Sequence, residues 1–163
     1  MGYPTEAGDM IATSRYMARQ PLPDRRRTWR QKVRIVDSSS GAHTFYVGFG
    51  EYDDGRLAEI FITSHKTGSF VRGALDSLAR SVSLALQSGT FPLDMAHQLR
   101  GQNYPPQGKV EAEGSTVTEC TSIADYIGQE IEACYGEDGK RLGDSPLPDK
   151  SGGYISEDWR SGA

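Results

Sequence analysis

Cysteine is scarce in this chain, with only Cys120 and Cys134 among 163 residues. If the segment between them is largely helical, a rise of about 1.5 Å per residue sets them roughly 20 Å apart. A disulfide needs Cα atoms within about 7 Å, so the pair reads as two ordinary reduced thiols. Lacking a CxxC spacing, they make neither a structural zinc site nor a dithiol relay by themselves. Apolar residues are also few, at 36%, and no run approaches the ~20 residues that span a bilayer. The N-terminus lacks the basic, apolar, small-residue order of a secretory signal, which makes the cytoplasm the expected location. An excess of positive charge is missing too. A net charge of −4 argues against general nucleic-acid binding, because neutralising many phosphates draws on Lys and Arg. A local basic patch stays open.

Glycine and proline, by contrast, are generous at 19 and 8 residues. They divide the chain into an arm, a core and a tail. Residues 1–21 show no sustained apolar period beyond a weak helical turn or two from Met10 to Met17, and read as a flexible N-terminal arm. Pro21 and Pro23 place a boundary near Leu22, and the single domain is expected over residues 22–136. The remaining 137–163, rich in Gly, Asp, Ser, Pro and Lys, read as a flexible tail with Tyr154, Ile155 and Trp159 available for docking.

Within the core, Val33 and Ile35 alternate with Lys32 and Arg34, predicting a strand from Gln31 to Val36. Ser38 to Gly41 supplies a turn. His43, Phe45, Val47 and Phe49 fall on one face of a second strand, with Thr44, Tyr46 and Gly48 on the other. Asp53-Asp54-Gly55 is a hairpin signal, since Asp-Gly tolerates positive φ, and Leu57 to Thr63 makes a third strand. Val71, Ala74, Leu75, Leu78, Ala79, Val82 and Leu86 recur at helical spacing, predicting a helix from Ser69 to Gln87 that Gly89 stops. Pro92 begins a shorter helix through Leu99, and Gly101 to Gly114 reads as loop. Ser122 and Asp125 resemble a capping box for a last helix lined by Ile123, Ile127, Ile131 and Cys134 and ending near Gly136. Strands followed by helices imply an α+β fold: a small antiparallel sheet of about three strands packed against two or three helices.

Two clusters stand out for chemistry. His65-Lys66-Thr67-Gly68-Ser69 lies where strand gives way to helix, so His65, Lys66, Gly68 and Ser69 are candidates for binding an anion or nucleotide at the helix start. The Walker pattern is absent, and such turns also use Thr, Gly and Ser simply as caps. Arg25, Arg26, Arg27, Trp29 and Arg30, continued by Lys32 and Arg34, form the one dense cationic run. They are candidates for contact with a partner or with phosphate, Trp29 stacking on a base or packing against the partner. The alternative is a solvated strand whose Trp caps the core. Glu51, Asp53, Asp54 and Glu59 are accounted for by turn and strand positions, and no metal ligands are assigned. No GxSxG elbow and no locally paired Cys and His are present, so no catalytic residue is assigned.

Several segments in unbroken order carry a resemblance: Leu22-Pro23-Asp24-Arg25, the turn Glu51-Tyr52-Asp53-Asp54-Gly55, the strand Ala58-Glu59-Ile60-Phe61-Ile62, the helical Leu75-Asp76-Ser77 and Val82 to Gln87, and Thr121 to Ile127. Over about two thirds of its length the chain resembles the C-terminal TSCPD domain of adenosylcobalamin-dependent (class II) ribonucleotide reductases. It departs from that pattern around Asn103 to Pro106 and from Lys109 to Glu119. The resemblance implies deoxyribonucleotide synthesis, and through it DNA replication, but none of the reductase's catalytic residues carries over. Its barrel, radical cysteine and cobalamin site lie outside the matching domain, and the tail here has no cysteine pair.

Two functional readings follow. In the first, the chain is an accessory domain or separately encoded subunit that docks on a reductase catalytic chain. Adenosylcobalamin then belongs to that partner, and no cofactor is bound by this chain. In the second, it is a stand-alone module that binds nucleotide or nucleic acid, or regulates, without reductase activity. An independent small enzyme would need a site that the sequence does not display. Self-association is open, because small sheets with free edges often pair.

Overall fold

In the computed structural model, which describes residues 18–64 and 69–143, the described part of the chain is built on one antiparallel sheet. Strands β1 (Thr28–Asp37), β2 (Gly41–Glu51) and β3 (Leu57–Ser64) are joined by hairpins. Two short strands follow, β4 (Gly108–Glu111) and β5 (Glu119–Cys120). The order across the sheet is β3-β2-β1-β4-β5. The α+β class expected from sequence holds, but the strand count is five rather than three. Within the expected loop Gly101 to Gly114, Val110 pairs with Ile35 and Lys109 with Val36. Four residues with one buried apolar side chain give no readable period. They become a strand because the open edge of β1 supplies the partner groups.

Alternation on β1 and β2 explains the sheet's two faces. Trp29 lies opposite Phe49, Val33 opposite Phe45, and Val47 opposite Ile62. Trp29, Val33, Ile35, Phe45, Val47, Phe49, Ile60 and Ile62 are all buried on this inner face, each large one worth about 1.5–3 kcal/mol in transfer from water. Gly55 has φ of 88° in the β2–β3 turn, a left-handed conformation that costs glycine little. Arg56 there donates its backbone N–H and guanidinium to Asp54.

Three helices complete the described fold: α1 (Phe70–Gln87), α2 (Pro92–Leu99) and α3 (Ile123–Cys134). Helix α3 is buried almost throughout, with Ile123, Ile127, Ile131 and Cys134 at or below 1% exposure. Its cap is half of the expected box. Ser122 Oγ accepts from the Asp125 N–H at 3.0 Å, but the Asp125 carboxylate turns to the N–H groups of Gly101 and Thr121 instead of back to Ser122.

Helix α1 runs along the exposed edge of β3. Ser83 Oγ accepts from the Ile60 N–H at 3.0 Å and donates to its carbonyl at 3.2 Å, while Gln87 Nε2 donates to the Ala58 carbonyl. These bonds occupy edge groups that would otherwise invite another strand. Leu75, Ala79, Val82 and Leu86 form the buried seam. Val71 and Ala74, expected on the apolar stripe, are exposed, because a helix seated on a sheet edge has a narrower seam than one lying across a face.

Both flanks of the core are tied down. In the described part of the N-terminal arm, the Gln20 N–H donates to the Gln87 carbonyl and the Tyr52 hydroxyl to the Gln20 carbonyl. The suggested turn from Met10 to Met17 lies outside the described residues. Past α3, the segment read from sequence as the start of a tail folds back. Arg56 bridges to Lys140 and Tyr135 to Arg141, and the Leu142 N–H reaches the Cys134 carbonyl.

Candidate functional site

Of the first candidate cluster, His65, Lys66 and Gly68 lie outside the described residues. Ser69 is the N-cap of α1, its side chain accepting from the Arg72 N–H at 3.4 Å.

The cationic run is split by the pleat and by the bend into β1. Arg25 is exposed. Arg26 bonds Glu59 and the Pro23 carbonyl, and the Arg27 guanidinium lies 3.9 Å from Glu51. Trp29 requires a correction: it is 7% exposed, stacked on Phe49 with centroids 4.1 Å apart. Its Nε1–H donates to the Tyr135 hydroxyl. It caps the core and has no face left for a base. Arg30 points the other way, its guanidinium 4.4 Å above the Tyr46 ring.

Glu51 anchors the strap that follows α3. It is 1% exposed and accepts from the Tyr135 hydroxyl and from Nε of Arg141, both at 2.9 Å. Burial, with the negative charge of Glu51 adding to it, pushes the Tyr135 hydroxyl well above the usual phenol range. The remaining carboxylates weighed from sequence serve the turn or pair with arginine. Among the described residues no group of three His, Cys, Asp or Glu side chains could hold a metal ion. Cys120 and Cys134 are both buried and form no disulfide. Burial and the nearby Asp125 charge push the Cys120 thiol up to about 11, which leaves it protonated and a poor nucleophile at neutral pH.

What sequence reasoning missed is that aromatic side chains join the β1 cations on the outer face of the sheet. Arg30, Lys32 and Arg34 of β1 stand beside Tyr46 of β2 and Phe61 of β3, and α1 forms a wall along one side. Between wall and sheet runs a groove of about 770 Å³ whose lining includes Arg19, Arg30, Phe61, Arg72, Arg80 and Leu84. The one available signal was the period of two, which already set Tyr46 opposite the core-facing residues. Placing Phe61 and Arg72 next to it requires strand register and the seat of α1.

The sequence profile of the TSCPD domain family matches residues 14–135. Among curated proteins, the chain is 40% identical over 118 residues to a protein of Bradyrhizobium diazoefficiens named vitamin B12-dependent ribonucleotide reductase, covering 72% of this chain and 9% of the relative. Proteins of the same name from Agrobacterium fabrum and Rhodopirellula baltica are each 33% identical, over 117 and 110 residues. They cover 72% and 67% of this chain. The chain thus spans 9–10% of the length of these relatives. No solved structure matches.

Proposed function

The chain belongs to the TSCPD domain family, and on that premise we propose that it serves a vitamin B12-dependent ribonucleotide reductase as an accessory domain docking on a catalytic chain. One observation carries this reading: most of the chain is similar to a small region of proteins that bear that name. Its described residues supply a folded scaffold with exposed cations, while both cysteines are buried and outside any disulfide. The radical chemistry then belongs to the partner, in the cytoplasm, and the contribution to deoxyribonucleotide synthesis is made by binding.

The cofactor is assigned to the partner because the described residues offer no donor set that fits it. The described histidines are His43, bonded to Ser40 Oγ, and His97 on an exposed turn of α2, and neither borders the groove.

The test is reconstitution. A B12-dependent reductase catalytic chain lacking its own TSCPD region is mixed with this chain and adenosylcobalamin. Co-elution in size-exclusion chromatography and a rise in ribonucleotide reduction are expected. If the two chains elute separately and turnover does not change, the docking reading is wrong.

A further inference from the structure

Independently of any reductase, we propose that the outer face of the sheet, walled by α1, binds single-stranded nucleic acid. Four observations converge on it.

The first is an aromatic floor. In one row across the sheet, Arg30, Gly48 and Phe61 are register partners; in the next, Lys32, Tyr46 and Thr63. A Cβ at Gly48 would lie 3.3 Å from the Phe61 ring, so the missing side chain is what lets that ring lie against the backbone. Phe61 and Tyr46 are both only partly covered, and Arg30 stacks on Tyr46. Rings and a guanidinium plane on neighbouring strands form a surface on which unpaired bases stack.

The second is charge. The carboxylates that line the groove are engaged: Glu59 with Arg26, and Asp76 with Arg80 at 2.9 Å. Among the described residues Arg30, Lys32 and Arg72 have no carboxylate partner. The local excess is therefore positive although the whole chain is acidic at −4.

The third is the spacing of the cations. Arg30, Lys32 and Arg34 recur every second residue of β1, about 7 Å apart at the usual strand rise. Arg72 and Arg80 lie about 12 Å apart along α1 at the usual helical rise. Two rows of cations flanking an aromatic strip suit a chain of phosphates better than one compact anion.

The fourth is what the geometry excludes. A duplex keeps its base faces stacked on each other and so offers no base face to the ring surface of Phe61 and Tyr46. An acidic peptide would satisfy the arginines but gain nothing from the rings.

Fluorescence anisotropy with a labelled oligothymidylate and the matching oligouridylate at low salt tests the proposal. Saturable binding is expected, and it should weaken about tenfold for Phe61→Leu, as loss of one stacked base implies. Arg72→Glu, on an exposed helix position that leaves the core intact, should weaken it at least as much. Arg72→Ala should lower the slope of log affinity against log salt by about 0.7. Duplex of the same sequence should bind more weakly, and a polyglutamate peptide should not compete. Thermal melts confirm that each variant is folded. Absence of strand binding overturns the proposal. So does binding that Phe61→Leu and Arg72→Glu leave unchanged, or that polyglutamate displaces.

Discussion

Strand β1 carries two unlike surfaces on one backbone. Inward, Trp29, Val33 and Ile35 are at most 7% exposed; Trp29 and Val33 meet Phe49 and Phe45, and Trp29 also bonds Tyr135 just past helix α3. Outward, Arg30, Lys32 and Arg34 are exposed and meet Tyr46, solvent and the salt partner Glu111. Side chains one residue apart thus belong to different physical regimes. The inner set is held by apolar burial and dense packing, where a lost methylene is felt. The outer set contributes little to folding and is free to meet a ligand. The contrast implies that stability and binding can be altered separately, by changing neighbouring residues of the same strand.

The largest expected effect lies on the inner face. Phe49→Ala removes a fully buried ring stacked on Trp29 and should cost about 3–5 kcal/mol in urea denaturation. A loss below about 1 kcal/mol would mean that the inner face is not the seat of stability.

Next is Glu51→Ala, which removes the buried carboxylate shared by the Arg141 guanidinium, 11% exposed at its side chain, and the Tyr135 hydroxyl. Breaking a buried pair from one side costs about 3 kcal/mol. Hydrogen exchange should accelerate at Arg141 and Leu142, whose backbone N–H groups close the strap. Protection unchanged there would show that Glu51 does not hold it.

A smaller effect comes from acid. The Ser39 hydroxyl and backbone N–H, with the Gln107 N–H, hold the Asp37 carboxyl at about 2. At Asp125 burial pushes upward, but the N–H groups of Gly101 and Thr121, Gln129 and the Arg100 guanidinium outweigh it and keep the carboxyl below its ordinary value. A carboxyl lowered by folding stabilises fully above its unfolded value of about 3.9 and loses that contribution as pH falls through its folded value. Stability should therefore hold down to about pH 4 and decline toward pH 2, the folded value of Asp37. Asp37→Asn should flatten the decline in thermal melts across that range. A variant as acid-sensitive as the parent would remove Asp37 from the account.

The smallest effect is on the outer face. Lys32→Ala should change stability by no more than about 0.5 kcal/mol while weakening oligothymidylate binding. A larger stability loss would blur the distinction between the faces.

Much of the architecture was legible because it is local. Alternation identified β1 and β2, the Asp54-Gly55 turn placed β3 after them, the helical period found α1 and α3, and Pro92 and Ser122 marked helix starts. Short strands β4 and β5 were not legible, since their identity rests on the open edge of β1. Of the residues proposed for contact, Arg25 and Arg30 are exposed. Arg26 and Arg27 turn toward Glu59 and Glu51, and Trp29 is in the core. A run of cations in sequence says nothing of which members have a carboxylate waiting across the sheet.

By itself, then, the sequence determined the three long strands and the three helices, the inner faces of β1 and β2 and the family, because periodicity, turn chemistry and motif order are properties of neighbouring residues. Only the tertiary structure decided that α1 seals the β3 edge, that Glu51 meets Arg141 and that Phe61, Arg30 and Arg72 share one groove. Those arrangements depend on register and on the seating of a helix, which bring together residues up to 90 positions apart that no local pattern links.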